Sequence, residues 1–493
     1  MTESPIDESV DRTSCDEGPI LVWFRRDLRL SDNPALTWAA GTGRPVIPAF
    51  ILDEDTGDTA VGNASRWWLH CSLHALEDSL RELGCRIIFR RGPAGHELSA
   101  LIRESGASSV VWNRLYDPAT LARDRQIKAQ FKGKGIAARS FNAALLFEPW
   151  TVKTGGGSPY RVFTPFWRCC LKLGFRMPGP AVSRLQVPKQ WPESDMINDW
   201  SLLPIPDIGA KLCRNWRPGE KEAHNRLDDF LRNAVKNYHE CREYPGKPGT
   251  SRLSPHLHFG EIGPRQIASA IDVCEPGPGP DAFLREIGWR EFSHHLLYHN
   301  PAMETKNLRP AFDRMPWCTD STNLKCWRQG RTGYPLVDAG MRELAATGWM
   351  HNRVRMIAAS FLTKHLLMDW RAGADWFLDA LVDADRANNS AGWQWVAGSG
   401  ADAAPYHRIF NPIVQSRRFD EAGNYLRAWV PELSSLPDEF IHSPWTAPQT
   451  VLSHAGVQLG KTYPFPIVDH MAARERALAA SRSLDRPEGG IDR

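Results

Sequence analysis

A segment beginning at Asp383 places carboxylates, amides and indole rings unusually close together. Asp383, Asp385 and Asn389 can hydrogen-bond the polar edge of a heterocycle, and Trp393 and Trp395 offer ring faces. An acidic, Asn-rich run is most often a solvated helix end. Here the flanking Gly, Ala and Ser residues allow a large planar object to approach closely, so the composition favours a binding site.

The motif TGWMHNRVRM, residues 347–356, supplies a cation that such a site needs. An unpaired guanidinium in a protein core is costly, so Arg355 requires an acidic partner. Asp383 and Asp385 are the candidates.

A second polar face is predicted on the helical segment LREIGWREFSHHLLYHNP, residues 284–301. Glu286, Trp289 and Arg290 stand at i, i+3 and i+4, so they share one face of a helix. Such a face can be a surface Glu–Arg pair beside a core Trp. A carboxyl, an indole plane and a guanidinium also suit a flat, partly polar ligand.

In GTSRLSPHLHFG, residues 249–260, hydroxyl side chains precede an apparent helix start. Thr250, Ser251 and Ser254 can act as N-caps. A helix N-terminus with such hydroxyls and free backbone N–H groups binds phosphate well. Taken alone, the motif is more often a plain capping segment.

These motifs lie in a helical half that follows an α/β half. In residues 20–150, short apolar or β-branched runs alternate with helical patterns such as residues 65–84. This alternation predicts an α/β domain with a parallel, doubly wound sheet. The predicted strands are residues 20–24, 45–52, 86–91, 108–113 and 136–141.

The remaining boundaries follow from composition and periodicity. Residues 151–223 are rich in Gly, Pro and Trp and predict an inter-domain connector. Residues 224–475 show apolar positions at i, i+3, i+4 and i+7 and predict an all-α domain. The polar residues 1–19 predict a disordered tail, and residues 476–493 a charged tail.

Bulk composition limits the class of protein. The 493 residues carry 60 Lys and Arg against 57 Asp and Glu, a net charge of +3. Any affinity for nucleic acid must therefore come from a local basic patch. Ten Cys without CxxC or zinc-like spacing indicate reduced thiols, a cytoplasmic location and no metal site. The sequence has no run of eighteen apolar residues and no apolar signal-peptide core, so a membrane span is not expected.

Several long motifs, in order, resemble the photolyase/cryptochrome flavoproteins over nearly the full length of the chain. They are VWFRRDLRLSDNPAL, GTSRLSPHLHFGEI, WREF, GYPLVDAGMREL, TGWMHNRVRM, ANNSAGWQWVAGSGADAAPYHRIFNP and RIFNPIVQSRRFD. The resemblance implies an N-terminal α/β domain, a long connector, and a C-terminal helical domain with U-shaped FAD at its centre.

The resemblance also assigns roles to residues. The positions that match FAD-binding residues, with Arg290 added from the helix face above, are Tyr238, Thr250, Ser251, Arg252, Leu253, Ser254, Arg290, Asn352, Arg355, Asp383, Asp385 and Asn389. Asn389 matches the residue facing flavin N5, where Asn is typical of photolyases. Trp393, Trp370 and Trp317 match a chain of tryptophans that passes electrons from the surface to photo-excited FAD.

The function implied is light-driven repair of cyclobutane pyrimidine dimers in DNA by a monomeric photolyase. Excited reduced FAD donates an electron to a flipped-out dimer, the ring splits and the electron returns. The lesion pocket is formed by Glu286, Trp289, Asn352, Met356 and Trp395. Phosphates are bound by Arg353, Arg408 and Arg417, and His351 is a packing residue.

Three alternatives stay open at this point. A cryptochrome would use the same FAD and tryptophans for signalling. A (6-4) photolyase would place a His pair near the lesion. A DNA-binding module without flavin would leave the Arg–Asp and Asn cluster unexplained.

A second, antenna chromophore is undecided between folate, deazaflavin, flavin and none. Folate-binding members carry Asn and Glu in the loop after the fourth strand, where this chain has Ala119 and Thr120.

Overall fold

The computed structural model describes residues 18–53, 62–203, 206–403, 405–406 and 408–484. The tail predicted for residues 1–19 lies outside this range except for Gly18 and Pro19, which lead directly into the first strand. Within the described ranges, no helix is long and apolar enough to cross a bilayer.

The N-terminal domain is the predicted parallel sheet, and its five strands appear where the apolar runs stand. They are β1 (Ile20–Phe24), β2 (Val46–Leu52), β3 (Ile88–Arg91), β4 (Ser109–Asn113) and β5 (Ala137–Phe141). All pairs are parallel, in the order β3-β2-β1-β4-β5. Because β1 and β4 are buried along their whole length, their sequences are largely continuous apolar runs in which apolar and polar residues do not alternate.

Helices cover both faces of this sheet. They are α1 (Pro34–Gly41), α2 (Asn63–Glu82), α3 (Ala94–Ser105) and α4 (Pro118–Lys132). The apolar side chains divide into two cores, one around Trp68 of α2 and one around Leu98 and Leu101 of α3. The structure thus confirms the α/β class.

The predicted connector is more structured than its composition indicates. It contains α5 (Phe163–Leu173), a 3-10 turn at Ile197–Trp200 and α6 (Pro206–Asn215). Helix α5 buries Phe163, Phe166, Trp167 and Cys170, which stand at i, i+3, i+4 and i+7. The flanking Gly and Pro residues mask this short period, so the prediction of little periodicity over residues 151–223 was wrong here.

The C-terminal half is helical, as predicted. Its helices are α7 (Glu220–Asn233), α8 (Tyr238–Cys241), α9 (Ser254–His258), α10 (Pro264–Asp272), α11 (Pro278–His299), α12 (Ser321–Arg328), α13 (Pro335–Thr347), α14 (Asn352–Ser360), α15 (Trp370–Ala380), α16 (Arg386–Ala397), α17 (Pro412–Phe419), α18 (Asn424–Trp429), α19 (Asp438–Ile441), α20 (Gln449–His454) and α21 (His470–Leu484). Four 3-10 turns (Val235–Asn237, Pro310–Arg314, Pro431–Leu433, Pro444–Thr446) and a π-helical turn (Phe361–His365) join them.

Two boundaries differ from the sequence prediction. The domain begins with α7 at residue 220 rather than 224, and α21 continues to Leu484, so residues 476–484 are helix and not tail. Ala473, Ala477, Ala480 and Leu484 bury one face of α21, which explains why a charged sequence remains helical there. Residues 485–493 lie outside the described range.

Buried polar contacts join the two halves beside the motif of residues 249–260. Glu261, fully buried, accepts hydrogen bonds from Trp68 Nε1 of α2 (3.0 Å) and from the backbone N–H of Gly219 (2.8 Å). Arg29 donates to the carbonyl oxygens of Gly260 (2.9 Å) and Ala143 (3.0 Å). The segment that follows α9 is therefore anchored on the α/β domain.

Candidate functional site

A cavity of about 580 Å³ lies in the helical domain, within the usual range for cofactor pockets. Segments far apart in sequence meet there: α8, the residues before α9, and helices α11, α14 and α16. The predicted site residues that line it are Tyr238, Thr250, Ser251, Arg252, Leu253, Ser254, Glu286, Trp289, Arg290, Asn352, Arg353, Arg355, Met356, Asp383, Asp385, Asn389, Trp393 and Trp395. Trp370, Trp317 and Arg408 lie elsewhere.

Asp385 both starts a helix and faces the cavity. It is the N-cap of α16, and its Oδ1 accepts a hydrogen bond from the backbone N–H of Asn388 at 2.8 Å. This cap explains why the helix begins immediately after an acidic pair. One turn on, Asn389 donates its side-chain N–H to the carbonyl oxygen of Ala374 (3.0 Å), which fixes the amide at the cavity wall.

The carboxylate of Asp383 is only half satisfied. Arg355 donates from Nη2 to Asp383 Oδ2 at 2.9 Å and from Nε to the carbonyl oxygen of Met350 at 2.7 Å. Asp383 Oδ1 is buried and has no hydrogen-bond partner in the described part of the chain. Because buried acceptors are rarely left unpaired, this oxygen marks a position where a ligand donor fits.

Two histidines lie behind Asp385. His294 Nε2 is 3.4 Å and His258 Nδ1 is 3.9 Å from Asp385 Oδ2. Burial alone would raise the pKa of Asp385, but these imidazoles hold it well below its usual range. Burial lowers the pKa of both histidines, whereas the Asp385 carboxylate beside them raises it.

The hydroxyl segment differs from the prediction in how it meets its helix. The N-cap of α9 is Leu253, and no side chain caps this helix. Ser254 is the first helical residue, and its Oγ accepts from Trp349 Nε1 at 3.3 Å. Because α9 has only five residues, hydroxyls and Arg252, rather than a helix dipole, are the groups there that could bind a phosphate.

The backbone at Arg252 explains this arrangement. Its φ of +52° turns the chain just before α9. The guanidinium lies 4.6 Å from the ring centre of Trp349 and 5.8 Å from that of Trp216. These aromatic contacts hold a cation at the edge of the cavity.

The helix face predicted on α11 is real, but its polar groups are already engaged. Glu286 forms an ion pair with Arg242, which the sequence reasoning did not include. Arg290 donates to the carbonyl oxygen of Ala144 at 2.8 Å. Trp289 stacks on Phe163 of α5 at 3.8 Å with an interplanar angle of 8°, so the connector supports this ring.

At the mouth of the cavity, α14 presents the residues predicted to meet DNA. Asn352, its first residue, is exposed. His351 is the buried N-cap, and burial together with Arg355 and Arg353 lowers its pKa to about 3. Arg353 is ion-paired with Glu243.

Of the three tryptophans of the predicted electron chain, Trp393 and Trp370 are buried and Trp317 is half-buried. Trp393 lines the cavity and packs against Gly373 of α15, where a Cβ would lie 2.1 Å from its ring. Trp370, three residues before Gly373, is fully buried and donates from Nε1 to Asn307 Oδ1 at 2.9 Å. Trp317 is half-buried beside the same core.

A surface groove of about 700 Å³ shares Glu243 and Arg353 with the cavity. Arg408 lies in this groove, and Lys364 Nζ donates to the Arg408 carbonyl oxygen at 3.0 Å. Arg418 lines the groove, whereas the predicted Arg417 does not. Helix periodicity could have indicated Arg418 instead of Arg417 only if the face of α17 that lines the groove had been known.

Sequence reasoning missed four residues of the site. Arg242 and Glu243 directly follow the short helix α8, which lacks an apolar period, and Phe163 lies in the connector. Phe419, the fourth, supports the mouth of the cavity. The alternation of acidic and basic residues in HECREYP was the only available signal.

Comparison with protein families assigns both halves of the chain. Residues 20–186 match the model described as DNA photolyase. Residues 283–483 match the model described as FAD binding domain of DNA photolyase. The second match covers most of the cavity-lining helices.

Individual relatives agree with this assignment. The chain is 51% identical over 468 residues to a deoxyribodipyrimidine photo-lyase of Agrobacterium fabrum, covering 94% of this chain and 97% of that protein. It is 42% identical to Cryptochrome-1 of Arabidopsis thaliana, covering 93% of this chain and 69% of that protein. The crystal structure of a bacterial class III photolyase from Agrobacterium tumefaciens superposes with a TM-score of 0.93 at 50% identity, covering 97% and 99% of the two chains.

Proposed function

The chain belongs to the DNA photolyase family, and we propose that its substrate is the cyclobutane pyrimidine dimer and that the 580 Å³ cavity holds FAD and the flipped-out lesion together. The observation that carries this proposal is the convergence of two kinds of surface in one cavity. One set of lining residues has hydroxyls and an unsatisfied carboxylate, and a second set has two indole rings, Trp289 and Trp395, beside Glu286.

The first set of lining residues fits FAD. Asp383 Oδ1 lacks a donor, which the N–H group of an isoalloxazine edge can supply. Arg252 and the hydroxyls of Thr250 and Ser251 provide a cation and donors for phosphate oxygens. When bound and reduced, FAD supplies the light-driven electron that splits the dimer.

The other FAD contacts of this proposal are Tyr238, Leu253, Ser254, Arg290, Asn352, Arg355, Asp385 and Asn389. Arg355 holds the Asp383 carboxylate in place, and the Ala374 carbonyl fixes the orientation of Asn389. Trp393, Trp370 and Trp317 are proposed as the electron route, since Trp393 lines the cavity, Trp370 is buried and Trp317 is partly exposed.

The residues proposed to contact the lesion act by holding it in a fixed orientation. Trp289 is held flat by Phe163, so its free face can contact the pyrimidine rings. Arg242 fixes the Glu286 carboxylate, which accepts a hydrogen bond from a pyrimidine N–H. Asn352 and Met356 complete the wall, and Arg353 and Arg408 bind the flanking phosphates.

The state of His351 supports the cyclobutane dimer over the (6-4) lesion. Because its pKa is lowered to about 3, His351 is neutral at physiological pH. Its Nδ1 accepts from the backbone N–H of Arg353 at 3.3 Å, and in the described part of the chain its buried ring does not line the cavity, so it is not placed to protonate a lesion.

The test uses purified, FAD-loaded full-length protein and three oligonucleotides, containing a cyclobutane dimer, a (6-4) lesion or no lesion. Blue light should restore only the cyclobutane substrate, and dark samples should remain unrepaired. Restoration of the (6-4) oligonucleotide alone would overturn the substrate assignment. Photoreduction of FAD without repair of either lesion would favour the cryptochrome-type signalling function, which the identity to Cryptochrome-1 keeps as the second candidate.

For an antenna chromophore, α4 offers no folate-type Asn–Glu pair. Ala119 lacks a polar group, and Thr120 donates its hydroxyl to the carbonyl oxygen of Asp117 at 2.9 Å. We therefore expect any second chromophore to be bound without that pair. Extraction followed by absorption spectroscopy would identify it.

A further inference from the structure

Four charged side chains form a continuous row from the lesion side of the cavity to its mouth. Glu286 pairs with Arg242, and Arg242 Nε lies 3.7 Å from Glu243 Oε1. Glu243 Oε2 in turn pairs with Arg353 Nη2. The row alternates in sign, so Glu243 is bound to a cation on each side.

The two ends of this row are the groups proposed to meet DNA. Glu286 faces the lesion, and Arg353 faces a backbone phosphate from the groove it shares with Arg408. The guanidinium of Arg353 also packs on Phe419, with 4.6 Å to the ring centre. A phosphate that reaches Arg353 must therefore compete with the Glu243 carboxylate, which carries the same sign of charge.

We propose that Glu243 is a specificity-determining residue that keeps Arg353 from the phosphates of undamaged DNA. The inference rests on the proposed function. When a lesion edge takes part of the hydrogen bonding of Glu286, Arg242 draws its Nε toward Glu243, which is already within 3.7 Å, while its Nη1 stays on Glu286. Arg353 is then released to a phosphate, and every charge keeps a partner throughout.

The test compares dark equilibrium binding of FAD-loaded wild type and Glu243→Gln to duplexes with and without a cyclobutane dimer, over a salt series. Freeing Arg353 should strengthen binding to undamaged DNA by roughly threefold to fivefold, the range for a half-exposed ion pair. One added phosphate contact should also steepen the log–log salt slope for undamaged DNA by about 0.9. Binding to damaged DNA should change by less than about twofold, because Arg353 is already released there.

Glu240→Gln is the matched control. Glu240 lines the same groove, but its side chain is 75% exposed and it lies beside His239 rather than Arg353. Removing this charge should affect both DNAs equally and leave both salt slopes unchanged. In Arg353→Ala protein, adding Glu243→Gln should have no effect on the damage preference.

The inference is overturned if Glu243→Gln weakens binding to both DNAs, leaves binding to both unchanged, or strengthens binding to both to the same extent. An effect of Glu243→Gln that persists without Arg353 would also overturn it. Wild-type protein that does not prefer damaged DNA would instead contradict the proposed function.

Discussion

Two buried Arg–Asp pairs, one in each domain, differ in how completely they are hydrogen-bonded. In the α/β domain, Arg25 Nη1 donates to both oxygens of Asp124, at 3.0 and 2.8 Å, and Trp112 Nε1 adds a third bond at 3.0 Å. In the helical domain, Asp383 receives one bond from Arg355 and keeps a buried oxygen free. The first pair stabilises the fold by itself, whereas the second is completed only by a ligand.

The largest expected difference is in stability. Asp124→Ala leaves Arg25 without its carboxylate, although Arg123 keeps Asp53, and should lower the free energy of unfolding by about 3–5 kcal/mol, whether FAD is present or not. Asp383→Asn should change apoprotein stability by less than about 1 kcal/mol but lose most of the bound FAD. Denaturant unfolding with and without excess FAD measures both effects. A loss of apoprotein stability in Asp383→Asn equal to that of Asp124→Ala would remove the distinction.

The cavity that contains Asp383 should also be served by an electron route, whereas the Arg25–Asp124 pair of the α/β domain has none. Trp317→Phe should block photoreduction of oxidised FAD yet leave repair by already reduced protein nearly intact, because the proposed chain takes no part in ring splitting. The measurement is the flavin absorbance change under blue light. Trp376→Phe is the control, since Trp376 lies on α15 beneath Arg328, outside the proposed chain. Unchanged photoreduction in Trp317→Phe would demonstrate another donor route.

A smaller effect is expected where a polar group faces the lesion rather than the cofactor. Glu286→Ala should lower the repair yield per photon by roughly tenfold, the value of one hydrogen bond to a charged group, while FAD content stays near that of wild type. Glu286→Gln, which keeps a hydrogen-bond acceptor, should lose less. Wild-type repair by Glu286→Ala under saturating light would show that the assigned role is wrong.

The pH dependence of the free energy of unfolding tests the burial of His351, an effect that does not depend on whether a ligand is bound. His351 is buried neutral with a pKa of about 3, against about 6.5 when unfolded. Between these values the unfolded chain binds the extra proton, so stability falls as pH falls, by up to about 1.4 kcal/mol per pH unit. His351→Asn retains a good N-cap and should remove that contribution, with or without FAD. Unfolding free energies at pH 7 and pH 5.5 measure it, and an unchanged pH dependence would contradict the argument.

The smallest expected effect concerns the exposed mouth. Arg408→Ala should flatten the log–log salt slope of DNA binding by about 0.9 and weaken damaged and undamaged DNA alike. Trp289→Ala should leave the slope unchanged and reduce the preference for damaged DNA, because ring contact releases no counterions. A salt titration of both DNAs measures this. A full slope in Arg408→Ala, or full damage preference in Trp289→Ala, would show that phosphate and lesion contacts are not divided in this way.

The sequence alone determined the classes of structure and most of the cavity lining. Apolar runs such as residues 20–24 predict buried parallel strands because both faces of the sheet are covered. Long motifs identified the segments around Thr250, Glu286, Arg355 and Asp383, since each motif is contiguous and its residues share a helix face or a cap.

Only the tertiary structure decided which partner each polar group has. The pairing of Glu286 with Arg242, the stacking of Phe163 under Trp289 and the Glu243–Arg353 pair each join segments more than forty residues apart. A side chain's charge is a local property, but whether that charge is saturated depends on segments brought together by packing. The unpaired oxygen of Asp383 could therefore be identified only in the folded chain, because Asp124, the same residue type, is fully hydrogen-bonded in the other domain.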